Sequence, residues 1–131
     1  MRGSLPQAKI IAAIRSQLGP HLLIGKYTKL RPKDAPASWG MCYVASECLY
    51  HLWGKANGYT PMCVPYRMES DGMGTHWFLE HRPSGLQLDI TADQFTNTKP
   101  DYKAAKPNGF MTKKPSKRAQ QIIDAVLRLQ A

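Results

Sequence analysis

Residues Gly74 to Thr91 read GTHWFLEHRPSGLQLDIT. Two short runs of strand-forming residues flank a Pro-Ser-Gly turn. A turn of two or four residues sets His81 opposite Leu86, Phe78 opposite Asp89 and His76 opposite Thr91. Residues paired across antiparallel strands share a face, and diagonal neighbours on that face stay within reach. His76 and Asp89 then become diagonal neighbours, while Trp77, Leu79, Leu86, Leu88 and Ile90 fall together on the opposite face. A three-residue turn would slip the register and put His76 and Asp89 on different faces. Segregation of the apolar residues favours the first register.

Upstream, Ser38 to Gly54 reads SWGMCYVASECLYHLWG. Its spacing predicts a helix over Met41 to Trp53, ended by Gly54, with Cys42, Ala45, Leu49 and Leu52 turned inward. Cys42 then lies in the first helical turn, where unpaired amides and the helix dipole favour a negative charge. A cysteine in an apolar helix is ordinarily a small core residue, and a histidine in a strand is ordinarily structural. The joint placement of Cys42, His76 and Asp89 makes a different combination: a thiol nucleophile, an imidazole base and a carboxylate that orients the base. The Cys42 amide adds a donor for an oxyanion.

The remaining chain supplies a frame. Gln7 to Leu18 carries Ile10, Ile11, Ile14 and Leu18 at helical spacing, and Gly19-Pro20 stops it. His21 to Ile24 reads as a short strand or turn, and Lys26 to Ser38 as a loop. A strand is predicted over Met62 to Met68, a flexible connection over Glu69 to Gly74, and irregular chain over Asp93 to Asn108. Ser116 is a good N-cap for a last helix reaching residue 130, with Ala119, Ile122, Ile123, Val126 and Leu127 on one face. The expected fold is α+β, a small antiparallel sheet packed on helices. A chain of 131 residues fits one domain. Met1 to Ser4, MRGS, resemble a vector-derived leader.

An apolar fraction of 43% suits a globular protein with its own core. No apolar run approaches the ~20 residues of a membrane span, and no signal-peptide core stands at the N-terminus. Three cysteines and no export signal point to free thiols in a reducing cytoplasm. Zinc ligation by Cys42, Cys48, His51 and Cys63 would need a spacing unlike the usual ligand patterns, so no metal and no cofactor is expected.

GMCYVASECL (40–49), GTHWFLE (74–80) and LDIT (88–91), in that order, resemble the core of the transglutaminase-like branch of the papain-like thiol enzymes. Those proteins carry G-x-C at a helix start, a histidine motif on a strand and D-x-T on the next strand. The resemblance covers Trp39 to Phe95. It implies Cys42 as nucleophile, His76 as base and Asp89 as orienting acid, acting on a protein, peptide or other amide substrate. Resolution of the acyl-enzyme by water or by an amine stays open, so peptidase, amidase, deamidase and transferase are all included. VASECLYHLWG (44–54), DITADQF (89–95) and GFMTKKPSKRA (109–119) also resemble small proteins of tailed phages, which would place the chain in the host cytoplasm.

Charge suggests a second reading. The chain holds 18 Lys+Arg against 9 Asp+Glu, a net charge of +9. Lys113, Lys114, Lys117 and Arg118 gather around Ser116 at the start of the last helix, the end of the dipole that attracts anions. KYTKLRPK (26–33) is a second basic stretch with an aromatic inside it. Such surfaces suit nucleic acid or an acidic protein, and the alternative is a catalytically inactive basic phage protein that binds one of these. A solvated charge run is the plain explanation.

Overall fold

The computed structural model describes residues 7–25, 27–68, 72–95 and 99–129. The vector-like Met1 to Ser4, the first half of the expected flexible connection (69–71) and position 130 of the last helix lie outside them, and the second half of that connection begins a strand at Gly72.

Among the described residues four α-helices are present: α1 (Gln7–Ser16), α2 (Tyr27–Leu30), α3 (Cys42–Leu49) and α4 (Lys117–Leu129). Strands β1 (Tyr59–Met68), β2 (Gly72–His81), β3 (Leu86–Leu88) and β4 (Lys106–Pro107) form one sheet. Its order is β3-β2-β1-β4, and every pairing is antiparallel. The fold is therefore α+β.

The decisive hairpin pairs Leu79 with Leu88, Glu80 with Gln87 and His81 with Leu86. Its turn is the four residues Arg82 to Gly85. Gly85 takes φ 78°, a left-handed conformation that glycine reaches without a side-chain clash, and its N–H donates to His81 O at 2.7 Å. β1 tolerates two prolines because of its position in the sheet. Pro61 O accepts from Asn108 N at 3.0 Å, so residue 61 directs its backbone groups to the β4 side. Pro65 directs its own to the same side, beyond Met62 and Cys63 where the β4 pairing stops. A missing N–H costs nothing there.

α1, α3 and α4 pack on one face of the sheet. Ile10, Ile14, Val44, Ala45, Leu49, Leu79, Ile90, Ala119, Ile122 and Val126 are buried in that main core. α3 is buried nearly all round, and its axis continues through one π turn, Tyr50–Gly54. The other face of the sheet holds a smaller core of Met62, Val64 and Phe78, covered by Tyr102 and Ala105.

Several expectations are corrected. Leu86 is 63% exposed and Leu127 52% exposed, because the hairpin tip and the last turn of α4 project past the core. β1 begins at Tyr59, directly after Gly58, rather than at Met62. The expected loop 26–38 contains the helical turn α2, and His21 belongs to a 3-10 turn, Pro20–Leu22. The expected irregular stretch 93–108 carries a 3-10 turn at Tyr102–Ala104 and the short strand β4.

Candidate active site

Cys42 is the first residue of α3, with Met41 as its N-cap. The first amides of a helix have no intrahelical acceptor, so Cys42 carries both a thiol and a free-pointing N–H. Its Sγ donates to Thr75 O at 3.6 Å, which places the thiol beside β2 one residue before His76. The loop ahead of it depends on Gly40. Gly40 has φ 72°, and a Cβ there would stand 2.8 Å from Leu23 Cδ2. Gly40→Ala is expected to destabilise the fold by about 1–2 kcal/mol. It should also slow Cys42 alkylation, and both effects are readable by urea unfolding and timed mass spectrometry.

His76 is fully buried. Its Nε2 donates to Asp89 Oδ2 at 2.6 Å. The register brings the two together, since Asp89 follows β3 immediately and lies diagonal to His76. The imidazole sits among aromatic rings, with Phe95 edge-on at 4.7 Å, Tyr102 edge-on at 6.1 Å and Phe78 stacked at 6.1 Å. Burial alone would lower the His76 pKa. Hydrogen bonding to Asp89 and then to Cys42, with the charges of both, outweighs burial and raises it to about 9. Cys42, His76 and Asp89 are thus one interacting group.

Asp89 is held from both sides. Its Oδ1 accepts from Thr91 N at 3.2 Å and Thr91 Oγ1 at 3.4 Å, an Asx-turn arrangement that explains the threonine of the LDIT stretch. Its Oδ2 accepts from His76 and from Tyr102 OH, the latter at 2.5 Å. Tyr102 carries no signal in the sequence, because it reaches Asp89 only through the chain's return under the sheet.

A second buried chain of bonds ties the acid to the nucleophile's loop. Gly40 N donates to Gln94 Oε1 at 3.1 Å, and Gln94 Nε2 donates to Thr91 Oγ1 at 2.9 Å. Beside it, Ser38 Oγ donates to Asp93 Oδ1 at 2.7 Å. Arg15 of α1 grips Asp93 through both guanidinium nitrogens at 3.0 and 2.9 Å. The same guanidinium reaches Ile90 O at 2.6 Å. Hydrogen bonding from Arg15 holds the Asp93 carboxyl below the usual carboxylate range, against a smaller opposing effect of burial. Thr91 is the threonine of the D-x-T stretch, whereas Asp93 and Gln94 are structural partners of the site that carry no signal in the sequence.

The other cysteines are placed differently. Cys48 is fully buried and burial pushes its thiol pKa up, while Cys63 is half-buried and takes a hydrogen bond from Asn108 Nδ2 at 3.3 Å. Among the described residues no group of His, Cys, Asp and Glu is arranged to hold a metal ion.

The basic cluster divides. Ser116 is the N-cap of α4, its Oγ accepting from Ala119 N at 3.3 Å. The seat that an external anion would occupy is filled from within: Glu47, 0% exposed, accepts from Ser116 N at 2.6 Å and Ser116 Oγ at 2.8 Å. Arg118 turns away to Leu22 O at 2.6 Å. Lys113, Lys114 and Lys117 remain exposed. In the second basic stretch, Arg31 donates to Ala35 O and Tyr27 packs edge-on against Trp39. Among the described residues, no helix is long and apolar enough to cross a membrane.

Comparison of the chain with protein families, with curated proteins and with solved structures finds no match.

Proposed function

We propose that this chain is a cysteine-dependent acyl-transfer enzyme with a Cys42–His76–Asp89 triad, on a core of the transglutaminase-like, papain-like kind. One observation carries the proposal. A buried histidine bonded at 2.6 Å to a carboxylate also interacts with a thiol that opens a helix. Aromatic walls and a doubly held Asp89 fix the imidazole in that orientation.

Chemistry follows from the roles. The Cys42 thiolate attacks the carbonyl carbon of an amide, and the Cys42 N–H stabilises the resulting oxyanion. His76 gives its proton to the departing amine as the C–N bond breaks, leaving a thioester. Water or a second amine then attacks the thioester, His76 takes the proton from that nucleophile, and the Cys42 thiolate leaves. Asp89 stabilises the imidazolium present before attack and after release. Hydrolysis and transfer differ only in the second nucleophile.

Alkylation tests the nucleophile without a known substrate. At neutral pH, iodoacetamide is expected to label Cys42 at least about tenfold faster than half-buried Cys63, with Cys48 slowest. Timed mass spectrometry of the folded protein reads all three. Equal labelling of Cys42 and Cys63 would overturn the proposal.

A further inference from the structure

We propose that Tyr102 is a positioning residue of this site, sharing the Asp89 oxygen with His76 and thereby setting how strongly the imidazole holds its proton. The inference rests on the triad reading only for the task it gives His76; the sharing itself is geometric. Tyr102 OH and His76 Nε2 both donate to Asp89 Oδ2, at 2.5 and 2.6 Å. The Tyr102 ring stands edge-on to His76 at 78° and to Phe78 at 81°, so the phenol is braced as well as bonded.

Around His76, the titratable groups among the described residues are Cys42 from α3, Asp89 from the turn after β3, and Tyr102 from its 3-10 turn. β1 presents Val64 opposite it, and Phe78 and Phe95 are apolar neighbours. An oxygen that accepts two donors gives less of its charge to each. The phenol thus weakens the hold of Asp89 on the imidazolium. Burial first, then hydrogen bonding and charge from Asp89, raise the Tyr102 pKa, so the hydroxyl keeps its proton and remains a donor.

Removing the hydroxyl leaves Asp89 in place, because Thr91 grips the other oxygen with two donors. The sign is then fixed: Tyr102→Phe frees Oδ2 for His76 and the imidazolium becomes harder to deprotonate. A purely structural tyrosine would lose stability without moving that titration upward.

Histidine ring NMR titration of the full chain reads this directly. Y102F is expected to raise the His76 midpoint by about half a pH unit, roughly a threefold gain in proton affinity. A midpoint that stays or falls overturns the inference. Replacing tyrosine by 3-fluorotyrosine gives a second arm that preserves the ring and makes the phenol a stronger donor. It should lower the His76 midpoint, and an unchanged or raised midpoint would be decisive against sharing should Y102F fail to fold. The outcome separates from the triad proposal. A shifted midpoint with an unreactive Cys42 keeps the sharing and removes the nucleophile. A reactive Cys42 with an unmoved midpoint removes Tyr102 alone.

Discussion

Asp89→Asn is expected to abolish a pH-dependent part of the stability worth on the order of 3 kcal/mol. The folded His76 pKa, about 9, lies above its ordinary 6.5. A group with a raised folded pKa binds its proton more tightly in the native state. Its contribution is fully present below about pH 6.5 and is lost as pH rises through about 9. Wild-type urea stability should therefore fall between pH 6.5 and 9. In D89N the largest stabiliser of the imidazolium is gone and burial opposes the charge, so that fall should vanish or reverse. Alkylation of Cys42 at pH 7 should drop in the same variant by about tenfold or more, because an amide cannot stabilise the imidazolium partner of a thiolate. A D89N curve parallel to wild type across this range would sink the coupling of His76 to Asp89.

Glu47→Ala carries the second large effect, on the same helix as Cys42 but through a different set of bonds. Glu47 bridges α3 and α4, and its two oxygens meet both donors of Ser116. Deletion strands a backbone N–H and a hydroxyl at a part-buried helix start and removes the negative charge facing the α4 dipole. The expected loss is on the order of 3 kcal/mol in chemical denaturation. Glu47→Gln retains an acceptor for one of the two donors and should lose distinctly less. An alanine variant within about 1 kcal/mol of wild type would show that water replaces the carboxylate at that site.

These two residues also mark what the sequence makes legible. The hairpin register followed from alternation alone, because one slip would have moved five apolar side chains off a common face. His81 does pair with Leu86, and His76 does meet Asp89. Helical spacing after Trp39-Gly40 placed the helix start at Met41, one residue ahead of the observed Cys42, and carried it to Trp53 where the α-helix stops at Leu49 and a π turn follows. Glu47 was hidden because a glutamate two residues past Ala45 reads as a solvated side chain, and its partner lies 69 residues away. Tyr102 and Gln94 were hidden for the same reason: their contacts depend on where irregular chain returns, and periodicity carries no information about that. The lysines were legible as charge, yet their nearest helix terminus had already been supplied with an anion by α3.

The two turns that bracket β3 have opposite tolerance for changes in length. Arg82 to Gly85 projects into solvent and touches none of the three triad members, so a longer loop there alters only the tip. Residues Asp89 to Gln94 work as a spacer. Asp89 at one end meets the imidazole, while Asp93 and Gln94 at the other end grip Ser38 and Gly40, just ahead of the nucleophile. One inserted residue would move acid and thiol out of step with each other even if every side chain named above were kept. Homologues are expected to vary freely in the first turn and to hold the second at a constant count.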